Sequence, residues 1–158
     1  MTRKYKKIAF SGSFAPLHKG HELVIRKAIT LSESLVIGLT SDEYLRRKGV
    51  FMPYNKRKEE LEKLFSKLNF DKYEIVEING PFDEKAMDKD IEAIILTEEN
   101  LDKGKKLNEI RESRGVKPLD LVVIPLVLAE DGRKISSTRI RRGEIDRNGR
   151  IIKNKVRN

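Results

Sequence analysis

The stretch that decides the fold is KKIAFSGSFAPLHKGH, residues 6–21. Its first part, residues 6–11, is a short apolar run that predicts a strand, and Gly12 and Ser13 end that strand. Apolar positions then recur with a helical period over residues 20–32, which predicts a helix. The chain therefore begins with a strand, a glycine-containing turn and a helix.

The same alternation continues along the rest of the chain. We predict further strands at residues 34–40, 73–78, 91–97 and 119–126, and helices at 55–68, 103–114 and 136–142. Asn55 is the expected N-cap of its helix. Strands that alternate with helices indicate βαβ units, and nearly continuous apolar strands indicate a parallel sheet covered on both faces. The sequence predicts one α/β domain with a five-stranded parallel sheet.

The composition excludes several classes of site. The 158 residues include no cysteine, which rules out disulfides, thiolate metal sites and a cysteine nucleophile. Two histidines cannot form a zinc site by themselves, although carboxylates are able to hold a hard cation. The longest apolar run, residues 121–129, is too short to cross a bilayer, and no signal-peptide cleavage site follows the basic N-terminus. We therefore expect a cytoplasmic protein with no membrane partner.

The positive charge is concentrated near the C-terminus. The formal net charge is +9, and from Asp131 onward ten Lys or Arg stand against three Asp or Glu. We divide the chain into a domain at residues 1–146 and a basic C-terminal tail at 147–158. A basic end suggests an anionic partner, although the charge by itself favours a solvated helix and tail. Nucleic acid is the less favoured partner, because aromatic residues are only 6% of the chain and no RNA-binding signature is present.

Both histidines fall in the turn that follows the first strand. In a parallel sheet, ligands bind beyond the carboxyl ends of the strands, and this turn lies there. A helix N-terminus offers free N–H groups to an anion, and Gly12 lets the backbone approach a phosphate closely. His18 and His21 are able to donate hydrogen bonds to phosphate oxygens. The alternative is that they are ordinary loop and helix-cap residues.

A second candidate segment is RKISSTRIRR, residues 133–142. Three successive hydroxyl residues open the predicted helix, so they are placed to cap it and to face an anion. Arg139 and Arg141 add positive charge and possible bidentate contacts. Such a segment is also typical of a simple helix cap. The P-loop, GxGxxG and GxSxG patterns are absent from the chain.

Together these segments resemble the HxGH nucleotidyltransferase superfamily. HKGH at residues 18–21 matches its HxGH motif, GSFAP at 12–16 is similar to its G[TS]FDP lead-in, and ISSTRIR at 135–141 resembles its ISSTxxR motif. The resemblance covers nearly the whole chain and implies a single Rossmann-like, doubly wound domain of nucleotidyltransferase type. One position departs from the pattern, since Ala15 stands where the usual lead-in has Asp.

Within that superfamily, the closest resemblance is to the archaeal and eukaryotic branch of phosphopantetheine adenylyltransferases. ILTEEN at residues 95–100, followed by Gly104 and Asn108, looks like a stretch of that branch. The segments at residues 40–48 and 53–54 look like its region after the second strand. The family transfers AMP from ATP to 4′-phosphopantetheine, giving dephospho-coenzyme A and pyrophosphate, in coenzyme A biosynthesis.

The resemblance also implies roles for individual residues. The catalytic residues would be His18, His21 and Lys48. The ATP-binding residues would be Gly12, Ser13, Phe14, His18, Gly20, His21, Thr97, Glu98, Glu99, Ser136, Ser137, Thr138, Arg139 and Arg141. The acceptor-binding residues would be Ser13, Lys48 and Asn108. Mg²⁺ would accompany ATP, and the sequence shows no dedicated cage for it.

Other activities stay open at this stage. The main rival is nicotinamide mononucleotide adenylyltransferase, and a cytidylyltransferase or FAD synthetase is less favoured, because the same phosphate-binding parts would serve all of them. A basic nucleic-acid-binding protein and a family member that binds ATP without turnover are the remaining alternatives.

Overall fold

Five parallel strands form one sheet in the computed structural model, which describes residues 3–153. The strands are β1 (Tyr5–Gly12), β2 (Ser32–Thr40), β3 (Tyr73–Ile78), β4 (Ala93–Thr97) and β5 (Asp120–Ile124). The α-helices are α1 (Lys19–Leu31), α2 (Asp42–Arg47), α3 (Tyr54–Lys67), α4 (Leu101–Ser113) and α5 (Ser137–Arg141). Two 3₁₀ helices cover Glu84–Met87 and Glu98–Asn100.

The strand order is β3-β2-β1-β4-β5, and every neighbouring pair is parallel. The chain builds outward from β1 through β2 to β3 and then returns to place β4 on the other side of β1. The strand order therefore reverses between β1 and β4, which is where open parallel sheets bind ligands. The predicted α/β fold class is confirmed.

The alternation of side chains along the strands divides the core between the two faces of the sheet. On one face, Ile8 and Phe10 of β1 pack in a large cluster with residues of α1 and α3. On the other face, Ala9 of β1 joins a smaller cluster with Leu107 of α4. Since β1 is buried on both faces, it is a fixed support for the turn that follows it.

The start of α3 differs from the prediction. The helix begins at Tyr54 after Pro53, and Asn55 lies inside the first turn instead of capping it. The N–H of Tyr54 donates to the carboxylate of Asp42, 2.7 Å away. A side chain distant in sequence therefore does the work expected of Asn55, and a local pattern could not reveal this. The short helix α2, to which Asp42 belongs, was not predicted.

Residues at the start of the predicted tail contact the domain. The N–H of Lys19 donates to the carbonyl of Arg147 at 2.9 Å, and the Arg147 guanidinium pairs with Glu60 of α3. Ile145 and Ile151 form an antiparallel bridge. Residues 154–158 of the tail lie outside the described part of the chain. None of the helices in residues 3–153 is long and apolar enough to cross a membrane.

Candidate active site

A pocket of about 370 Å³ opens at the carboxyl ends of the central strands, where the strand order reverses. Two segments face each other across it. The histidine turn, residues 12–21, follows β1, and the serine segment, residues 127–145, contains α5. The floor of the pocket is formed by apolar residues of β1 and β4.

The histidine turn is organised by a capping box made from two imidazoles. Nδ1 of His18 accepts the N–H of Gly20 at 3.0 Å and of His21 at 3.4 Å, and Nδ1 of His21 accepts the N–H of His18 at 3.1 Å. The two rings stack with centroids 3.7 Å apart. A Cβ added to Gly20 would lie 2.8 Å from Cε1 of His18, so only glycine fits beneath the ring.

These hydrogen bonds determine the tautomer of each ring, and burial determines whether the ring is charged. An imidazole whose Nδ1 accepts a hydrogen bond carries its hydrogen on Nε2 when it is neutral. Burial, together with the nearby Arg147 charge, lowers the pKa of His18 to about 4. Burial, with a smaller effect of His18, lowers the pKa of His21 well below its ordinary value. Both histidines are therefore neutral near pH 7 and keep an Nε2–H that has no partner among residues 3–153.

Phe14 supports the second histidine from behind. Its side chain is 1% exposed, and its ring centroid lies 4.6 Å from that of His21 and 5.5 Å from that of Phe10. Its backbone φ is +49°, a conformation that is uncommon for a bulky residue. Phe14 is thus a wall that holds the imidazole in place, and it does not line the pocket.

The serine segment is tied directly to the histidine turn. The Ser137 hydroxyl donates to the carbonyl of Pro16 at 2.9 Å, and the Arg141 guanidinium donates to the carbonyl of Ala15. Ser136 caps α5 by accepting the N–H of Arg139, which leaves its own hydroxyl hydrogen free to donate. The two motifs are therefore joined on one pocket.

Arg139 does not face that pocket. It is buried, and its guanidinium donates to Asp131, Glu144 and the carbonyl of Lys134. The side-chain hydrogen bond from Arg139, with the N–H of Arg133, lowers the pKa of Asp131 to about 2. This ionic network holds the serine segment together.

On the side of β2, a buried guanidinium fixes the start of the histidine turn. Arg57 of α3 is 0% exposed and donates to the carbonyls of Ser13 and Thr40 at 3.1 and 2.9 Å and to the carboxylate of Asp42 at 3.0 Å. The Thr40 hydroxyl donates in turn to the Ser13 hydroxyl. Lys48 lines this side of the pocket, with its ammonium 4.8 Å from the centroid of the Tyr44 ring.

The structure brings most of the predicted site residues together. Those that line the pocket are Gly12, Ser13, His18, Gly20, His21, Lys48, Thr97, Glu99, Ser136 and Ser137. Those that do not are Phe14, Glu98, Asn108, Thr138, Arg139 and Arg141. The side-chain amide of Asn108 exchanges two hydrogen bonds with the backbone of Leu119, which fixes the start of β5. Nothing in its sequence context distinguishes that structural role from ligand binding.

Sequence reasoning missed several residues of this region, among them four that carry a charge or an aromatic ring. Lys103, Lys134 and Tyr44 line the pocket, and Arg57 lies beneath its edge. Lys134 adjoins the serines, so its position was a usable signal. The sequence contains no such signal for Arg57, because this residue stands on a helix among other charged residues.

The described residues provide no ready-made metal cage. In residues 3–153 no group of three or more His, Cys, Asp or Glu side chains is placed to hold a metal ion.

Known proteins share both the sequence and the fold. The cytidylyltransferase-like family model matches residues 9–143. The phosphopantetheine adenylyltransferase of Methanothermobacter thermautotrophicus is 40% identical over 154 residues, which is 97% of this chain and 93% of the relative. That of Pyrococcus furiosus is 39% identical over 97% of this chain and 98% of its own length. A crystal structure of a protein of unknown function from Archaeoglobus fulgidus superposes with a TM-score of 0.68 at 32% identity, over 75% of this chain and 88% of that one.

Fold and pocket together define a nucleotidyltransferase of the Rossmann-like type. The chain belongs to the cytidylyltransferase-like family, in the branch formed by the archaeal phosphopantetheine adenylyltransferases.

Proposed function

We propose that the protein transfers AMP from ATP to 4′-phosphopantetheine, giving dephospho-coenzyme A and pyrophosphate. The observation that carries this proposal is the junction of the two motifs: Ser137 is bonded to the turn that presents His18 and His21, on one pocket. The relatives with the same name match nearly the whole chain. The proposal implies a cytoplasmic location, because the cytoplasm supplies ATP.

The chemistry asks for positioning and charge stabilisation. An oxygen of the acceptor phosphate attacks the α-phosphorus of ATP, and the bond from that phosphorus to the bridging oxygen of the β-phosphate breaks. The acceptor phosphate is already an anion, so no residue has to remove a proton. Two preorganised Nε2–H donors, from His18 and His21, stabilise charge at the α-phosphoryl group without changing their own protonation.

Residues at the two ends of the pocket bind different phosphate groups. Ser136 supplies a hydroxyl donor for the phosphates that leave as pyrophosphate, while Ser13 and Lys48 face the acceptor phosphate. Arg57 fixes the carbonyl of Ser13 and therefore acts as a positioning residue. Thr97, at the end of β4, and Glu99, in the 3₁₀ helix that follows, line the side of the pocket that we assign to the adenosine.

We infer that Mg²⁺ enters with ATP. Mg²⁺ is commonly bound through substrate phosphates with few protein ligands, which suits a pocket without a carboxylate cluster. When bound, the ion would neutralise phosphate charge. The residues named above would orient the phosphates and donate hydrogen bonds to them.

The direct test offers ATP and Mg²⁺ with either 4′-phosphopantetheine or nicotinamide mononucleotide and identifies products by mass spectrometry. We expect dephospho-coenzyme A with the first acceptor and no dinucleotide with the second. If the only product were a dinucleotide, the proposed adenylyl transfer would be supported and the proposed acceptor, 4′-phosphopantetheine, would be wrong. A matched control is the His18→Asn variant, which retains a helix cap and lacks the Nε2–H donor.

A further inference from the structure

An ion pair at the rim of the pocket has no part in the mechanism above. Glu99 lies in the 3₁₀ helix after β4, and Lys134 lies in the serine segment. The ammonium of Lys134 contacts the carboxylate of Glu99, and both side chains line the pocket. Each side chain is 43% exposed. The pair therefore joins the two walls of the pocket where solvent reaches them.

The backbone of Lys134 is fixed, whereas its side chain has this single partner among residues 3–153. The carbonyl of Lys134 accepts a hydrogen bond from Arg139 at 3.0 Å, and the residue pairs with Leu128 in an antiparallel bridge. A partly exposed ion pair adds little to stability, so the ammonium exchanges partners at little cost. Its anchor is rigid and its charged end is movable.

Two other cations of the serine segment are already engaged, and the remaining two, Arg133 and Arg142, do not line the pocket. Arg139 neutralises Asp131 and Glu144, and Arg141 holds the carbonyl of Ala15. Neither lines the pocket. Lys134 lines the pocket. It stands two residues before Ser136, to which we have assigned the departing phosphates. In the described chain it is thus the cation of this segment that reaches the leaving group.

We propose that Lys134 is a phosphate-binding residue of the reaction, held by Glu99 while the pocket is empty and transferred to the β- and γ-phosphates when the nucleotide binds. This rests on the proposed function for the identity of the nucleotide. The ammonium keeps its protons and breaks no covalent bond; it exchanges one carboxylate for phosphate oxygens. Glu99 is then an intramolecular competitor of the triphosphate.

The exchange predicts a specific pattern of affinities. Lys134→Ala weakens binding of ATP and of inorganic pyrophosphate about tenfold or more, because a charge-assisted hydrogen bond is lost. Binding of AMP, which has no β- or γ-phosphate, changes less than twofold. Glu99→Gln tightens ATP binding severalfold, and this gain disappears in the Lys134→Ala background, since the two side chains act as a pair.

The test is calorimetric titration of the full chain with ATP, AMP and pyrophosphate, each with and without Mg²⁺. The matched control is Arg142→Ala, which removes the same charge from an exposed position that does not line the pocket. Equal losses for ATP and AMP, an equal loss in Arg142→Ala, or unchanged ATP binding in Lys134→Ala would each overturn the proposal. Turnover with 4′-phosphopantetheine is measured on the same samples. Binding that follows the pattern without any turnover would support Lys134 and overturn the proposed reaction, and turnover without the pattern would do the reverse.

Discussion

The histidine turn and the serine segment face the same pocket, but different forces hold them. The histidine turn is fixed by burial and by neutral hydrogen bonds between the His18 and His21 rings and the backbone. The serine segment is fixed by charge, through Arg139 with Asp131 and Glu144. In the first segment the same side chains build the turn and line the pocket. In the second, Arg139 and its carboxylate partners build the segment, and the serines line the pocket.

The largest effect separates the two roles of His18. His18→Ala removes the helix cap and the Nε2–H donor, and we expect kcat/KM to fall about 10² to 10³-fold with a loss of about 1 kcal/mol in stability. His18→Asn restores a cap acceptor, so it should recover stability and leave activity low. Kinetics and urea unfolding of both variants check this. Recovery of activity in His18→Asn would show that capping alone matters.

The next largest effect concerns Arg139. Arg139→Gln leaves Asp131 and Glu144 with only the exposed Arg133 as a shared cation, so the melting temperature should drop clearly. Asp131→Asn should drop it too, and the double variant should lose less than the sum, because both belong to one network. Thermal unfolding measures all three. An increased KM for ATP in Arg139→Gln with an unchanged melting temperature would instead indicate a phosphate ligand.

A smaller effect follows from the pKa values of the histidine turn. The pKa of His18 is about 4 in the folded protein and about 6.5 in the unfolded chain, so the unfolded chain takes up a proton first. Stability is full above pH 6.5 and decreases as the pH falls toward 4, by up to about 3 kcal/mol. Urea unfolding at pH 7 and pH 4.5 measures the change, and His18→Asn should remove the part due to His18 while the part due to the buried His21 remains. The Asp131 pair should weaken only at lower pH, since its pKa is about 2.

The smallest effect tests a residue outside both segments. Asn108→Ala removes two hydrogen bonds to Leu119 and should cost about 1 to 2 kcal/mol without changing the KM of the acceptor. Steady-state kinetics with denaturant unfolding separates the alternatives. A raised acceptor KM at unchanged stability would favour the substrate-binding role that the resemblance implies.

The sequence was informative where function follows from local pattern. Apolar runs and the strand-helix alternation predicted the parallel sheet, and they placed His18 and His21 in the turn after the first strand. It was uninformative where a side chain acts at a distance. Arg57 and Asp42 organise segments remote in sequence, and Arg139 looks like a phosphate ligand until its buried partners are known.

The tether between Ser137 and Pro16 also constrains when the site comes into existence. The two residues are 121 positions apart. The N–H of Lys19, in the same turn, donates its hydrogen bond to the carbonyl of Arg147, which comes still later in the chain. During synthesis the first strand and its histidines leave the ribosome long before these partners. In a nascent chain the pocket therefore stays incomplete until residues 137–147 have been synthesised and have folded onto the histidine turn.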